Sequence, residues 1–113
     1  MTTEQIAAMV GTMAQDVKCE FNYLMFPENS APEPPYILFY YPNSNDFKAD
    51  NINYSIITQL NIELYTPEKD FEAENAIESI LKDNEIVYQK SESYLDSEQL
   101  YEVLYIMEVV LNE

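Results

Sequence analysis

Apolar and polar positions alternate along much of this chain, and the period of the alternation changes several times. Ile6, Met9, Val10, Met13 and Val17 recur at three- and four-residue intervals, which predicts a first helix with one buried stripe. Thr2 or Thr3 can cap this helix, with Gln5 placed to complete a capping box on Thr2. Gly11 weakens this helix slightly. From Val17 the period becomes two, with Cys19, Phe21, Tyr23 and Met25 on one face, so a first strand is expected over 17–25. PENSAPEPP (27–35) holds four prolines in nine residues and reads as an extended connector. YILFYY (36–41) is apolar on both faces, as in a central strand, and PNSNDFKADN (42–51) is rich in turn formers.

The longest alternation follows. Ile52, Tyr54, Ile56, Leu60, Ile62 and Leu64 share one face, interrupted by Thr58, and the other face is polar except for Ile57 and Tyr65. At about 3.3 Å per residue this strand would span roughly 46 Å, against a radius of gyration near 13 Å for a domain of this size. It must bend, or project as an arm that needs a partner. Thr66 and Pro67 then offer an N-cap and first position for a second helix, with Ala73, Ala76, Ile77, Ile80 and Leu81 as its buried stripe. Glu78 and Lys82 have the spacing of an i,i+4 pair, and Glu74 with Glu78 reads as a solvated acidic face. IVYQKSESYL (86–95) is a strand near an edge. LYEVLYIMEVVL (100–111) fits a buried helix or a strand, and its Val, Ile and Tyr content favours the strand. Asp96 to Gln99 would be the turn before it. The expected fold is α+β in the order α-β-β-β-α-β-β: a single domain over 1–113, with a mostly antiparallel sheet of four to five strands and two helices packed on one side.

Charge narrows the functions. The chain carries 21 acids against five lysines, a net −16. It therefore repels a phosphate backbone and an anionic membrane surface, so neither specific nucleic-acid binding nor membrane binding is expected. No basic-then-apolar leader and no long apolar run is present, which predicts a soluble cytoplasmic product. With no histidine, one glycine and a lone Cys19 read as a core residue, no catalytic, metal or cofactor site is expected. Asn43, Asn45, Asp46, Asp50 and Asn51 could offer oxygen ligands, but the loop lacks the glycine and terminal glutamate of a calcium-binding loop. Ten tyrosines suit contact surfaces, with Tyr41, Tyr65 and Tyr88 the better candidates.

The stretch PPYILFYYPNSNDFKADNINYSIITQLNIELYTPEKDFEAENAIESIL (34–81), with YQKSESYLDSEQLYEVLYIMEVVL (88–111), resembles small tail-completion or tail-terminator (minor tail) proteins of long-tailed phages and prophages of Gram-positive bacteria. The resemblance rests on PPY (34–36), ADN.NY (49–54), IELYT..KD (62–70), the E..IE..L helix (74–81) and YQK.E.YLDSE (88–98). It implies a structural virion protein and no enzyme. Six copies would close into a hexameric ring between tail tube and head connector, assembling in the host cytoplasm. Asp46, Phe47, Lys48 and Asp50 would then touch the tail tube or a neighbouring subunit, and Ile57 and Tyr65 would be subunit contacts. The plainer expectation is a hairpin tip and two residues covered by a helix of the same chain. The acidity would line a DNA channel or serve solubility alone. The alternative function is an acidic DNA-mimic inhibitor of a nucleic-acid-handling protein, with carboxylates at phosphate-like spacing.

Overall fold

The structure, a computed structural model, describes residues 1–43 and 56–112, with backbone alone at Ile56. Helix α1 spans Thr3–Val17, and its capping box forms as the sequence predicts: Gln5 N donates to Thr2 Oγ1 (3.1 Å) while Thr2 N donates to Gln5 Oε1 (2.9 Å). The helix takes in Val17, and Lys18 turns the chain with φ 66° while Cys19 N donates to Ala14 O. Strand β1 is therefore only Glu20–Tyr23, shorter than the predicted 17–25. A Cβ on Gly11 would stand 3.3 Å from Phe21 Cζ, so the missing side chain allows α1 to approach β1.

Strands β2 (Tyr36–Tyr40), β3 (Ile56–Thr66), β4 (Tyr88–Leu95) and β5 (Leu100–Leu111) complete one sheet in the order β1-β2-β3-β5-β4. Among the described strands, only β1 and β2 are parallel. The central pair runs antiparallel from Ile56↔Leu111 to Thr66↔Tyr101. Residues 96–99 are the turn between β4 and β5, and 100–111 is a strand with Val103, Tyr105, Met107, Val109 and Leu111 buried. The helical alternative for that segment fails because its apolar residues bury with period two.

Helix α2 begins later than Thr66–Pro67 suggests. Thr66 is still paired with Tyr101 and buried, and Pro67–Lys69 forms a bend. Asp70 is the actual cap, accepting from Ala73 N at 3.0 Å, and α2 runs Phe71–Asp83. One core holds Ile6, Val10 and Met13 of α1, Ile77 and Leu81 of α2, and Ile37, Leu60, Ile62, Leu64, Val103 and Tyr105 of the sheet. Both helices therefore cover the same face of the sheet. Cys19 is half-buried against this core rather than inside it, and burial with Glu20 nearby pushes its thiol up to about 11.

Candidate functional site

Each strand turns one face toward the helix side of the sheet, and the alternate positions face away from it. On β3 the outward residues are Ile57, Gln59, Asn61, Glu63 and Tyr65; on β5 they are Glu102, Leu104, Ile106, Glu108 and Val110. Tyr36, Leu38 and Tyr40 extend this open face across β2. At its centre, Tyr65 Oη donates toward both Glu63 Oε1 (2.8 Å) and Glu102 Oε2 (2.7 Å). Tyr40 Oη donates to Glu63 Oε2 (2.9 Å), and Ser93 Oγ donates to Glu102 Oε1 (3.3 Å). Asn61 Nδ2 donates to Tyr40 Oη, and Gln59 Nε2 donates to Asn61 Oδ1, so the chain of bonds continues along β3. Burial, then the hydrogen bonds to Glu102 and Glu63, push the Tyr65 phenol far above its ordinary range. The network thus holds two carboxylates through neutral donors, with no lysine among its described bonds.

The two apolar exceptions predicted on this face fare differently. Ile57 sits opposite Val110 in the register, and the two are 64% and 46% exposed, an apolar corner at the end of β3 and β5. Tyr65 is half-buried, stacked on Tyr36 at 5.0 Å between centroids, and its hydroxyl is engaged within the chain. Neither residue is under a helix. Asp46, Phe47, Lys48 and Asp50 lie outside the described residues, as does the start of the long predicted strand. Tyr41 and Tyr88, read as contact candidates, are partly buried and pack against the core.

On the helix-covered side lies a second charged group that sequence reasoning missed. Glu74, expected on a solvated face, is 2% exposed. Lys69 Nζ lies 2.6 Å from its Oε2, and Lys90 Nζ lies 2.7 Å from its Oε1 as an ion contact off the hydrogen-bond angle. Lys90 Nζ also donates to Glu78 Oε2 (2.7 Å), as does Tyr105 Oη (2.8 Å), and Lys69 pairs with Glu92. The cation on Glu78 is Lys90 of β4, where the sequence suggested Lys82 on the same helix. Burial pushes the Glu78 carboxyl up, but bonds from Lys90 and Tyr105 outweigh it and hold it below the usual range. Strand parity was the available signal: Lys90 and Glu92 share a face with Tyr88, which packs against the core.

A depression of about 770 Å³ opens where Val87, Ile106 and Val110 meet Met1; it holds Glu85 and Glu108 but no cationic side chain. This surface presents tyrosines, aliphatic side chains and carboxylates, residue types that suit protein contacts. No protein-family model matches the chain, and no curated protein matches its sequence.

Proposed function

We propose that this chain is a structural tail-completion protein of a phage or prophage, forming a ring at the end of the tail tube and joining it to the head connector. The observation that carries the reading is the open sheet face, which places Ile57, Val110 and the Tyr65–Glu63–Glu102 group on one uncovered surface. A face of this composition suits contact with a neighbouring subunit or tail protein. Strand β3, at the centre of this face, follows in sequence the segment 46–50 expected to touch the tail tube. The sequence resemblance over 34–81 and 88–111 supplies the virion setting and the six-fold ring. The acidic mimic of DNA is weaker on physical grounds. Such a protein must display its carboxylates, whereas Glu63, Glu74, Glu78, Glu92 and Glu102 are bonded within the chain.

Light scattering across a protein concentration series, in low and moderate salt, tests the ring. A discrete species near six subunits, growing as salt screens the net −16, is the expected result. A monomer at every concentration, unchanged by added tail tubes, would remove the reading.

A further inference from the structure

Strand β4 is an edge of the sheet, and among the described residues nothing pairs with its outer side. Its eight residues contain no proline and no bulge in the register with β5, so a continuous row of backbone donors and acceptors faces outward. Natural edges of this length are commonly protected by a charge at the centre, and Lys90 would serve that end against an arbitrary strand. It does not serve it against a second copy of β4.

Placing two β4 strands antiparallel, with Ser91 opposite Ser91, sets Lys90 of each copy opposite Glu92 of the other. Tyr88 then faces Tyr94, Gln89 faces Ser93, and Val87, 88% exposed, meets Leu95. Directly opposed residues in an antiparallel pair point to the same side. Lys90 and Glu92 both lie on the helix-facing side in each chain. They are bonded there to Glu74, Glu78 and Lys69, yet stay 35% and 42% exposed at the edge, so each can also meet the opposite charge of a second copy. Other registers fail. Centring on Lys90 opposes two lysines, centring on Glu92 opposes two glutamates, and a slip of one residue leaves both charges without an opposite partner. A strand that selects a single register for pairing with itself is an isologous interface in the making.

We propose that β4 pairs with β4 of a second copy in this register, joining two five-stranded sheets into one across a two-fold axis through Ser91. The interface goes beyond the tail-completion reading and does not depend on it. A ring with one face to the tube and the other to the connector closes through heterologous contacts, so this two-fold pair joins chains outside such a ring. The second copy is the favoured occupant because it brings the cation and the anion in the required order.

Position-specific cross-linking tests the pairing. In a Cys19→Ser background, Ser91→Cys brings two thiols to opposed positions, where the Cα separation of about 4.5–5.5 Å suits a disulfide. Ser93→Cys leaves its two thiols roughly 13 Å apart, at about 3.3 Å per residue. Under mild oxidation in dilute protein, the Ser91→Cys chain should form covalent dimer at least tenfold faster than Ser93→Cys. An equimolar mixture of Gln89→Cys and Ser93→Cys should cross-link while neither does so alone. Both serines are exposed, and far-UV circular dichroism establishes that each variant is folded. Equal rates at 91 and 93, or no dimer from Ser91→Cys in folded protein, would overturn the pairing. Because the readout is which residues meet, it is independent of whether light scattering finds six subunits.

Discussion

Glu74 and Glu78 on one side of the sheet, and Glu63 and Glu102 on the other, are carboxylate pairs in opposite company. The first pair meets Lys69 and Lys90 and receives the Tyr105 hydroxyl under the covering helix. The second pair meets phenols, with Tyr65 donating toward both acids and Tyr40 toward one. A phenol has a single proton, so Tyr65 satisfies one of its two carboxylates at a time. A buried charge must be matched by a cation or by strong donors. The helix side achieves this within the chain, and the open side does so only in part. In a chain with so few lysines, two are committed to fastening α2 to β4. The cations close the fold, and the open face keeps carboxylates held by neutral donors.

The largest effect should come from cutting the closed side. Glu74→Gln removes the anion that both lysines share and should cost roughly 2–3 kcal/mol. That is below the ~3–5 kcal/mol of a fully buried pair, because Lys69 and Lys90 are 26% and 35% exposed and can rehydrate. Thermal unfolding should shift down by about 8–12 °C at roughly 4 °C per kcal/mol. A shift under 2 °C would mean the pair contributes no more than a surface contact, and the contrast between the two sides would collapse.

Sequence made the strands plain wherever the alternation was strict. Leu60, Ile62 and Leu64 can bury together only as a strand and do so, whereas 100–111 fitted a helix as well, and its Val, Ile and Tyr content favoured the strand it forms. The cap of α1 was equally legible, since Thr2 and Gln5 form a reciprocal local motif. Boundaries were harder because this chain turns without glycine. Lys18, Leu24, Glu85 and Gln99 all adopt positive φ at the ends of elements, and nothing in their side chains marks the turn. Thr66–Pro67 carried the opposite error: it has the chemistry of a helix start, but the long pairing with β5 keeps Thr66 in the sheet. The burial of Glu74 was illegible for a further reason. Its partners come from the bend before α2 and from β4, and local spacing rules see only neighbours on the same helix.

A mid-sized effect should appear in the pH dependence of the closed side. The folded Glu78 carboxyl is held below its ordinary 4.5, so its contribution is fully present above that pH and is lost as pH falls through the lowered value. The folded Lys90 ammonium is raised above 10.5. Burial opposes this, and the contacts it makes to the Glu74 and Glu78 carboxylates prevail, so its contribution persists until pH rises beyond that value. Glu78→Gln should therefore be less stable than the parent by roughly 1–2 kcal/mol between pH 6 and 9. The gap should narrow as pH falls below 4.5 and close as pH passes through the lowered value of the folded carboxyl. Comparing the two proteins at each pH cancels the general relief of self-repulsion on acidification. A gap that stays constant from pH 3 to pH 9 would show that Glu78 acts through packing and not through charge.

The smallest effect should carry the opposite sign. Glu102→Gln on the open face removes one of two acids that compete for the Tyr65 proton and supplies an amide donor in its place. The Tyr65 hydroxyl is then free to donate to Glu63 continuously, and the new amide can keep the Ser93 contact. Stability should hold or rise by up to about 0.5 kcal/mol, near 2 °C in the unfolding midpoint. The same chemical change, glutamate to glutamine, is thus expected to unfold one side of the sheet and to settle the other. A loss above about 1 kcal/mol from Glu102→Gln would mean that the open pair is already matched within the chain. The open face would then carry no unmet charge toward a partner, and the difference between the two sides would be one of burial alone.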